Sequence, residues 1–335
     1  MTDSDPSLEP METRPASKDS AINIVFLGPN GVRAGWRLLV AVTMWLIVFI
    51  GVGTALHGRQ GAVGMINPST PEGLLSGELT TFLIYLCIAW IMGRIEARKM
   101  RDYGIGLVDA FGAPFWLCAL AGFASISVLL FSLHRAGVYQ LGERALAGFE
   151  IWKYGAAWGL AFLGVALTEE TLFRGYALFT LSTGINFWPA AIACSFAFGT
   201  LHLGNSGEGY VGAVSAGAIG FLFCILLRKT GNLWAAIGFH AAWDWGESFF
   251  YGVPDSGQLA SGHLFSAQIA GPVWLTGGSV GPEGSWFCLI LVAILCAVAA
   301  SLPGVKYPDP DAIPDPRRRR VEPPPGLFPE SASQS

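Results

Sequence analysis

Apolar residues run along this chain in long blocks, and polar residues collect in the connections between them. A helix that crosses the hydrocarbon core of a bilayer needs about 20 mainly apolar residues. On that measure the pattern predicts about eight spans, at residues 36–56, 75–92, 114–133, 154–181, 188–203, 209–227, 233–250 and 286–302. The expected fold class is therefore all-α, a polytopic membrane helical bundle. The seventh block is the least apolar, because His240, Asp244 and Glu247 interrupt it. It is kept as a span because the charges on either side require it.

Those charges set the orientation. Arg94, Arg98, Lys99 and Arg101 follow the second block, Arg228 and Lys229 separate the sixth from the seventh, and Lys306 with Arg317 to Arg320 follows the eighth. Lysine and arginine mark cytoplasmic connections, so every even-numbered span exits toward the cytoplasm and both termini lie there. The connection 251–285 holds no Lys or Arg and belongs on the opposite side. Arg135, Arg144 and Lys153 run against the rule. The organisation expected is a disordered cytoplasmic tail over 1–34, a membrane helical domain over 35–303 and a disordered Pro/Arg-rich cytoplasmic tail over 304–335. The polar start of the chain lacks the charged-then-apolar pattern of a cleaved signal.

Composition agrees with a membrane setting. Of 335 residues, 52% are hydrophobic and 13% charged, where a soluble domain carries about 25% charge. The 43 glycines suit close packing of membrane helices. No long basic, aromatic-interleaved patch points to nucleic acid. The six cysteines all lie in apolar runs without a Cys-x-x-Cys pair and read as small buried hydrophobes. The chain is thus expected to be a multi-pass integral membrane protein, with the lipid bilayer as one partner and a bacterial plasma membrane as its place.

Three clusters break the apolar blocks: Glu169-Glu170-x-x-x-Arg174, Phe198-x-x-x-His202 and His240-x-x-x-Asp244. Ionisable groups at membrane depth cost about 2.5–3.5 kcal/mol on insertion scales and mark functional sites. Residues on a helix are about 100° apart, so Glu169 and Glu170 point different ways. Glu170 and Arg174, four apart, share a face in the favoured order for an ion pair. Glu169 lacks that local partner and is expected to project into the bundle as the active carboxylate. Spans four and five form a hairpin near Gly184, which brings Glu169 and His202 to similar depth. An acid and two imidazoles around one cavity can hold and deprotonate a water, with a histidine or the Asp244 region facing the developing oxyanion. Two His and one acid also form a familiar zinc set, but no His-x-x-x-His pair flanks a glutamate. The expectation is metal-free water activation without a cofactor, with zinc as the chemical alternative. Glu247 is expected to be an interfacial acid near the outer end of its span.

These motifs resemble the CPBP family, the CAAX prenyl proteases and bacteriocin-processing or immunity (ABI) proteases. Thr168 to Gly175 resembles the EExxxR motif, Phe198 to His202 the FxxxH motif, and Gly231 to Asp244 the HxxxN/D segment. The resemblance covers about residues 158–250, inside a protease core placed at about 152–251. It implies an intramembrane endopeptidase of the glutamic type, with a conical cavity open toward the cytoplasm. It also implies that Glu169 activates water, His202 positions that water, and His240 with residue 244 forms the oxyanion site. Glu170, Arg174 and Phe198 would support them. The prenyl proteases have Asn at the last position, whereas this chain has Asp244, which must be protonated, hold His240 or bind a metal. The substrate expected is a membrane-associated protein or peptide, without commitment to prenylation. Two other readings remain: a proton-coupled transporter, for which no internal repeat speaks, and a non-catalytic membrane scaffold or immunity protein.

Overall fold

The computed structural model describes residues 25–28, 31–57 and 67–307. Most of both expected tails lies outside these residues. Within the stretch read as the N-terminal tail, Leu27–Gly28 pairs antiparallel with Gly31–Val32.

The protein is mostly helical. Five helices are long and apolar enough to cross a membrane. They are α1 (Ala34–His57), α2 (Pro71–Glu96), α3 (Ala113–Arg135), a kinked helix over Phe149–Ile185, and α7 (Tyr210–Thr230). The kinked helix consists of α4 (Phe149–Glu170), a π-helical stretch (Thr171–Ala177) and α5 (Leu178–Ile185). Shorter are α6 (Phe187–His202, 16 residues), α8 (Trp234–Asp244, 11 residues) and α9 (Trp286–Ser301, 16 residues). A second π-helical stretch, Trp245–Phe250, prolongs α8. The five long helices coincide with predicted blocks one to four and six; blocks five, seven and eight are helical but fall short of that length.

Local sequence sets the boundaries. At the start of α2, Thr70 caps by accepting from the Gly73 N–H at 3.3 Å, and Pro71 needs no donor there. At the end of α7, Gly231 takes the left-handed conformation (φ 88°) that stops a helix. Between α5 and α6 a single residue, Asn186 (φ 68°), makes the turn, so the two pack as a tight hairpin.

Burial identifies which surface meets lipid. The apolar window of α1 is only 11% buried and that of α7 is 61% buried. Accordingly α7 runs through the middle and α1 along the edge. Ile47, Leu117, Phe131 and Phe196 are more than 60% exposed; in water such a surface invites association, whereas in a bilayer it is simply solvated. The short α8 is held tightly despite its length. A Cβ on Gly122 of α3 would strike the Phe239 carbonyl, and one on Gly238 of α8 would strike the Phe115 carbonyl. These reciprocal glycines let the two backbones touch and fix the height of α8.

The bundle has two unlike ends. At one, Arg37 pairs with Glu96 at 2.9 Å, Leu233 N–H bonds to Gly104 O, and Lys306 N–H bonds to Arg228 O. At the other, the connection 251–285 folds over the helices. Its Ser261 N–H bonds to Ser69 O, and its strand Gln268–Ile269 pairs with Tyr139–Gln140.

Candidate active site

Both π-helical stretches begin directly after a cluster residue, one after Glu170 and the other after Asp244. Widening a helix by one residue frees backbone groups and re-aims side chains, and such bulges gather at functional sites. At the first, Gly175 leaves helical geometry (ψ −112°), and the Tyr176 N–H is taken up by the Tyr85 hydroxyl of α2 at 2.9 Å. That hydroxyl makes the kink tolerable in an apolar interior, because an unpaired buried N–H is costly.

The two adjacent glutamates go to different places. Glu170 is fully buried; its Oε1 accepts from Arg174 Nη1 at 3.2 Å and from His240 Nδ1 at 3.0 Å. The Arg174 guanidinium lies 4.3 Å from the Phe198 ring and 5.6 Å from the rings of Phe173 and Phe223. Aromatic faces stabilise a desolvated cation, and the missing Cβ of Gly220 leaves it room. Glu169 instead keeps 30% of its side chain exposed and brings Oε2 to 3.7 Å from His240 Nε2.

His240 therefore stands among three carboxyl groups. Its Nδ1 faces Glu170, while Nε2 lies 3.7 Å from Glu169 and 3.4 Å from Asp244 Oδ2. The ring stacks on Phe223 with centroids 5.2 Å apart. Of the three roles open to Asp244 from the sequence, the geometry presents one directly: it stands where it can hold the His240 ring. His202, the last residue of α6, donates Nδ1–H to the Phe198 carbonyl at 2.8 Å, which fixes its tautomer and leaves Nε2 as an acceptor.

Glu169, His202, His240 and Asp244 all line one cavity of about 640 Å³, whose remaining wall is largely apolar, with Trp158, Phe162, Phe173 and Phe223 among its members. That volume is in the range of pockets for small molecules or a short peptide stretch. Glu170 and Arg174 stand behind the wall, and Phe198 lines it while covering Arg174. Among the described residues no group of three or more His, Cys, Asp or Glu side chains is placed to hold a metal ion.

Several cavity residues escaped the sequence reading. Glu78 enters from α2, Glu208 from the turn after α6, and Asp255 and Glu283 from the connection 251–285. Glu78 did leave a signal, a lone acid in an apolar block, but without a partner at helical spacing. Asp255 accepts from Ser248 Oγ at 3.2 Å. Burial pushes its carboxyl above the usual range, and burial with the Asp255 charge pushes Glu283 up to about 8. The expectation for Glu247 is corrected. It is fully buried and accepts from Trp243 Nε1 at 2.9 Å, an N–H that also reaches Glu283 Oε1 at 3.0 Å. The connection 251–285 folds over this end of the span and encloses Glu247, with the Val253 N–H on the Glu247 carbonyl oxygen at 3.2 Å.

The fold and this cluster define a class: an integral membrane helical protein with an acid–imidazole site inside its bundle. Residues 151–246 match the family model described as type II CAAX prenyl endopeptidase Rce1-like, in agreement with the resemblance of this segment to the CPBP/CAAX protease family. The matched segment contains all three clusters. No curated protein matches the chain. The match supports a CAAX-protease-like intramembrane endopeptidase, hence a peptide or protein substrate in a membrane setting.

Proposed function

We propose that this protein hydrolyses a peptide bond of a membrane-associated protein or peptide by means of a water activated by Glu169. The observation that carries the reading is the parting of the two glutamates: Glu170 is sealed against Arg174, while Glu169 is open to the cavity 3.7 Å from His240. A water held between Glu169 and the free Nε2 of His202 would pass its proton to the Glu169 carboxylate as its oxygen attacks the peptide carbonyl. The oxyanion so formed would face an Nε2–H of His240, whose ring Glu170 anchors at Nδ1 and Asp244 steadies. Collapse of the tetrahedral intermediate breaks the C–N bond, and Glu169 returns its proton to the departing amine. General base catalysis contributes about 10²–10⁴-fold and a placed oxyanion donor about 10²–10³-fold.

No metal is needed in this scheme, because carboxylate and imidazole together perform the proton transfer. The shorter helices complete an eight-span bundle in the same reading, with α8 and its π-helical extension as span seven and both termini on the side of the basic connections. A transporter would require a relay leading out of the bundle at both ends, whereas the acids and imidazoles here converge on one cavity.

The test is purified protein in detergent with a peptide library, comparing wild type, His202→Ala and His240→Ala, with and without a chelator. The expected result is cleavage by wild type that survives chelation and falls at least a hundredfold in each variant. Cleavage lost on chelation and restored by zinc would replace this mechanism with a metal-dependent one, and cleavage unchanged in both variants would remove the site.

A further inference from the structure

All the loops that reach the cavity belong to one end of the bundle. Pro68 precedes α2, Asn205 and Ser206 follow α6, Asp255 follows α8 and its extension, and Glu283 precedes α9. These connections are stitched together: Ser261 N–H bonds to Ser69 O and Gly257 N–H bonds to Val280 O, both at 2.9 Å, and Ser69 Oγ reaches Gln258 Oε1 at 3.3 Å. The helical part of the lining extends inward from that end as far as the middle of the bundle. On α2 it runs from Leu74 to Thr81, and on α7 from Gly212 to Phe223. No residue of the connections 97–112, 231–233 or 303–307 takes part in it.

The basic residues occupy the opposite end. The run Arg94 to Arg101, the pair Arg228–Lys229 and Lys306 are joined there by the Arg37–Glu96 pair, by Lys306 N–H to Arg228 O, and by Tyr307 Oη to Asp102 O at 3.4 Å. Among the described residues, nine Lys or Arg belong to this end (Arg33 and Arg37 included) and three, Arg135, Arg144 and Lys153, to the cavity end. Orientation in a membrane follows this bias, with the basic connections cytoplasmic. The helix directions agree, since α2, α5 and α7 all run from the cavity end toward the basic end.

We propose that the cavity opens on the non-cytoplasmic side, and that the peptide it admits is a segment exposed there, such as the exported part of a membrane-anchored chain. This departs from the cytoplasmic opening that the family resemblance implies. Only the word "peptide" rests on the proteolytic reading; the side of access rests on charge and geometry alone.

The two are therefore separable by experiment. Ser206→Cys places a thiol on an exposed rim residue that lines the cavity, and Gln258→Cys does so on a second loop. Arg101→Cys places one on an exposed residue of the basic end. Each full-length variant is treated with a membrane-impermeant maleimide polymer in intact spheroplasts and again after permeabilisation, with wild type giving the background of the six native cysteines. The expected result is a mass shift for Ser206→Cys and Gln258→Cys in intact spheroplasts, and for Arg101→Cys only after permeabilisation. The reverse pattern overturns the proposal and leaves the hydrolytic mechanism untouched. Loss of peptide cleavage in every assay, with the expected labelling, would sink the mechanism and leave the orientation standing.

Discussion

Two regions share one turn of helix and differ in almost every physical respect. Behind the cavity wall, Glu170 and Arg174 are fully buried, bonded to each other and enclosed by phenylalanine rings. In front of it, Glu169 and His202 face an open volume with only partial burial and few fixed partners. The contrast shows how a helix at membrane depth can carry two adjacent acids. One is neutralised locally and becomes part of the structure, so the other can remain available for chemistry. His240 joins the regions, with Nδ1 on the sealed side and Nε2 on the open side.

Substitutions should separate the two regions, and the largest effect belongs at their junction. His240→Ala is expected to lose peptide cleavage by at least a hundredfold and also to lower thermal stability, because Glu170 Oε1 loses its second donor. Full stability in a soluble, folded His240→Ala protein would show that the junction is not structural.

Arg174→Met comes next. It leaves Glu170 buried opposite an apolar side chain, and removing one partner of a buried pair costs roughly 3–5 kcal/mol. Folded yield in detergent is expected to collapse, with double substitution Glu170→Gln/Arg174→Met recovering part of it. A stable single variant would mean that the sealed region does not need its charge balance.

The rim of the open region should respond to pH. The Glu283 carboxyl rises from 4.5 to about 8 on folding. An acid raised on folding gives stability that is complete below its unfolded value and is lost as pH climbs through the folded one. The melting temperature of wild type is therefore expected to fall between about pH 4.5 and 8. Glu283→Gln should flatten that slope by keeping the contact to Trp243 without a titrating group.

The smallest effect concerns charge. Glu78, Glu169, Glu208, Asp244, Asp255 and Glu283 line the cavity with no Lys or Arg among the described residues. Lysine-flanked peptides should be cleaved severalfold faster than glutamate-flanked ones, and the gap should narrow in high salt, which screens exposed charges.

Much of the sealed region was legible in the sequence. The four-residue spacing of Glu170 and Arg174 and the 100° step to Glu169 are properties of any helix, and they foretold which acid would pair. Helical spacing also joined His240 to Asp244. The open region was less legible because its polar rim comes from connections, whose paths no periodicity encodes. Asp255 and Glu283 reach the cavity only because the connection 251–285 folds back on Ser69 and Trp243. Glu247 has the same explanation: spacing puts it near the outer end of its span, and only the fold of the connection over that end encloses it. The span count was limited in another way: α6 and α9 are apolar enough for lipid, but at 16 residues each they are shorter than a full crossing.

The division between the adjacent glutamates is tested most directly by purifying Glu169→Gln and Glu170→Gln side by side and measuring peptide cleavage and thermal unfolding for each. The account expects Glu169→Gln to unfold like wild type while cleaving at least a hundredfold more slowly, and Glu170→Gln to unfold at lower temperature. Wild-type cleavage by folded Glu169→Gln would contradict it.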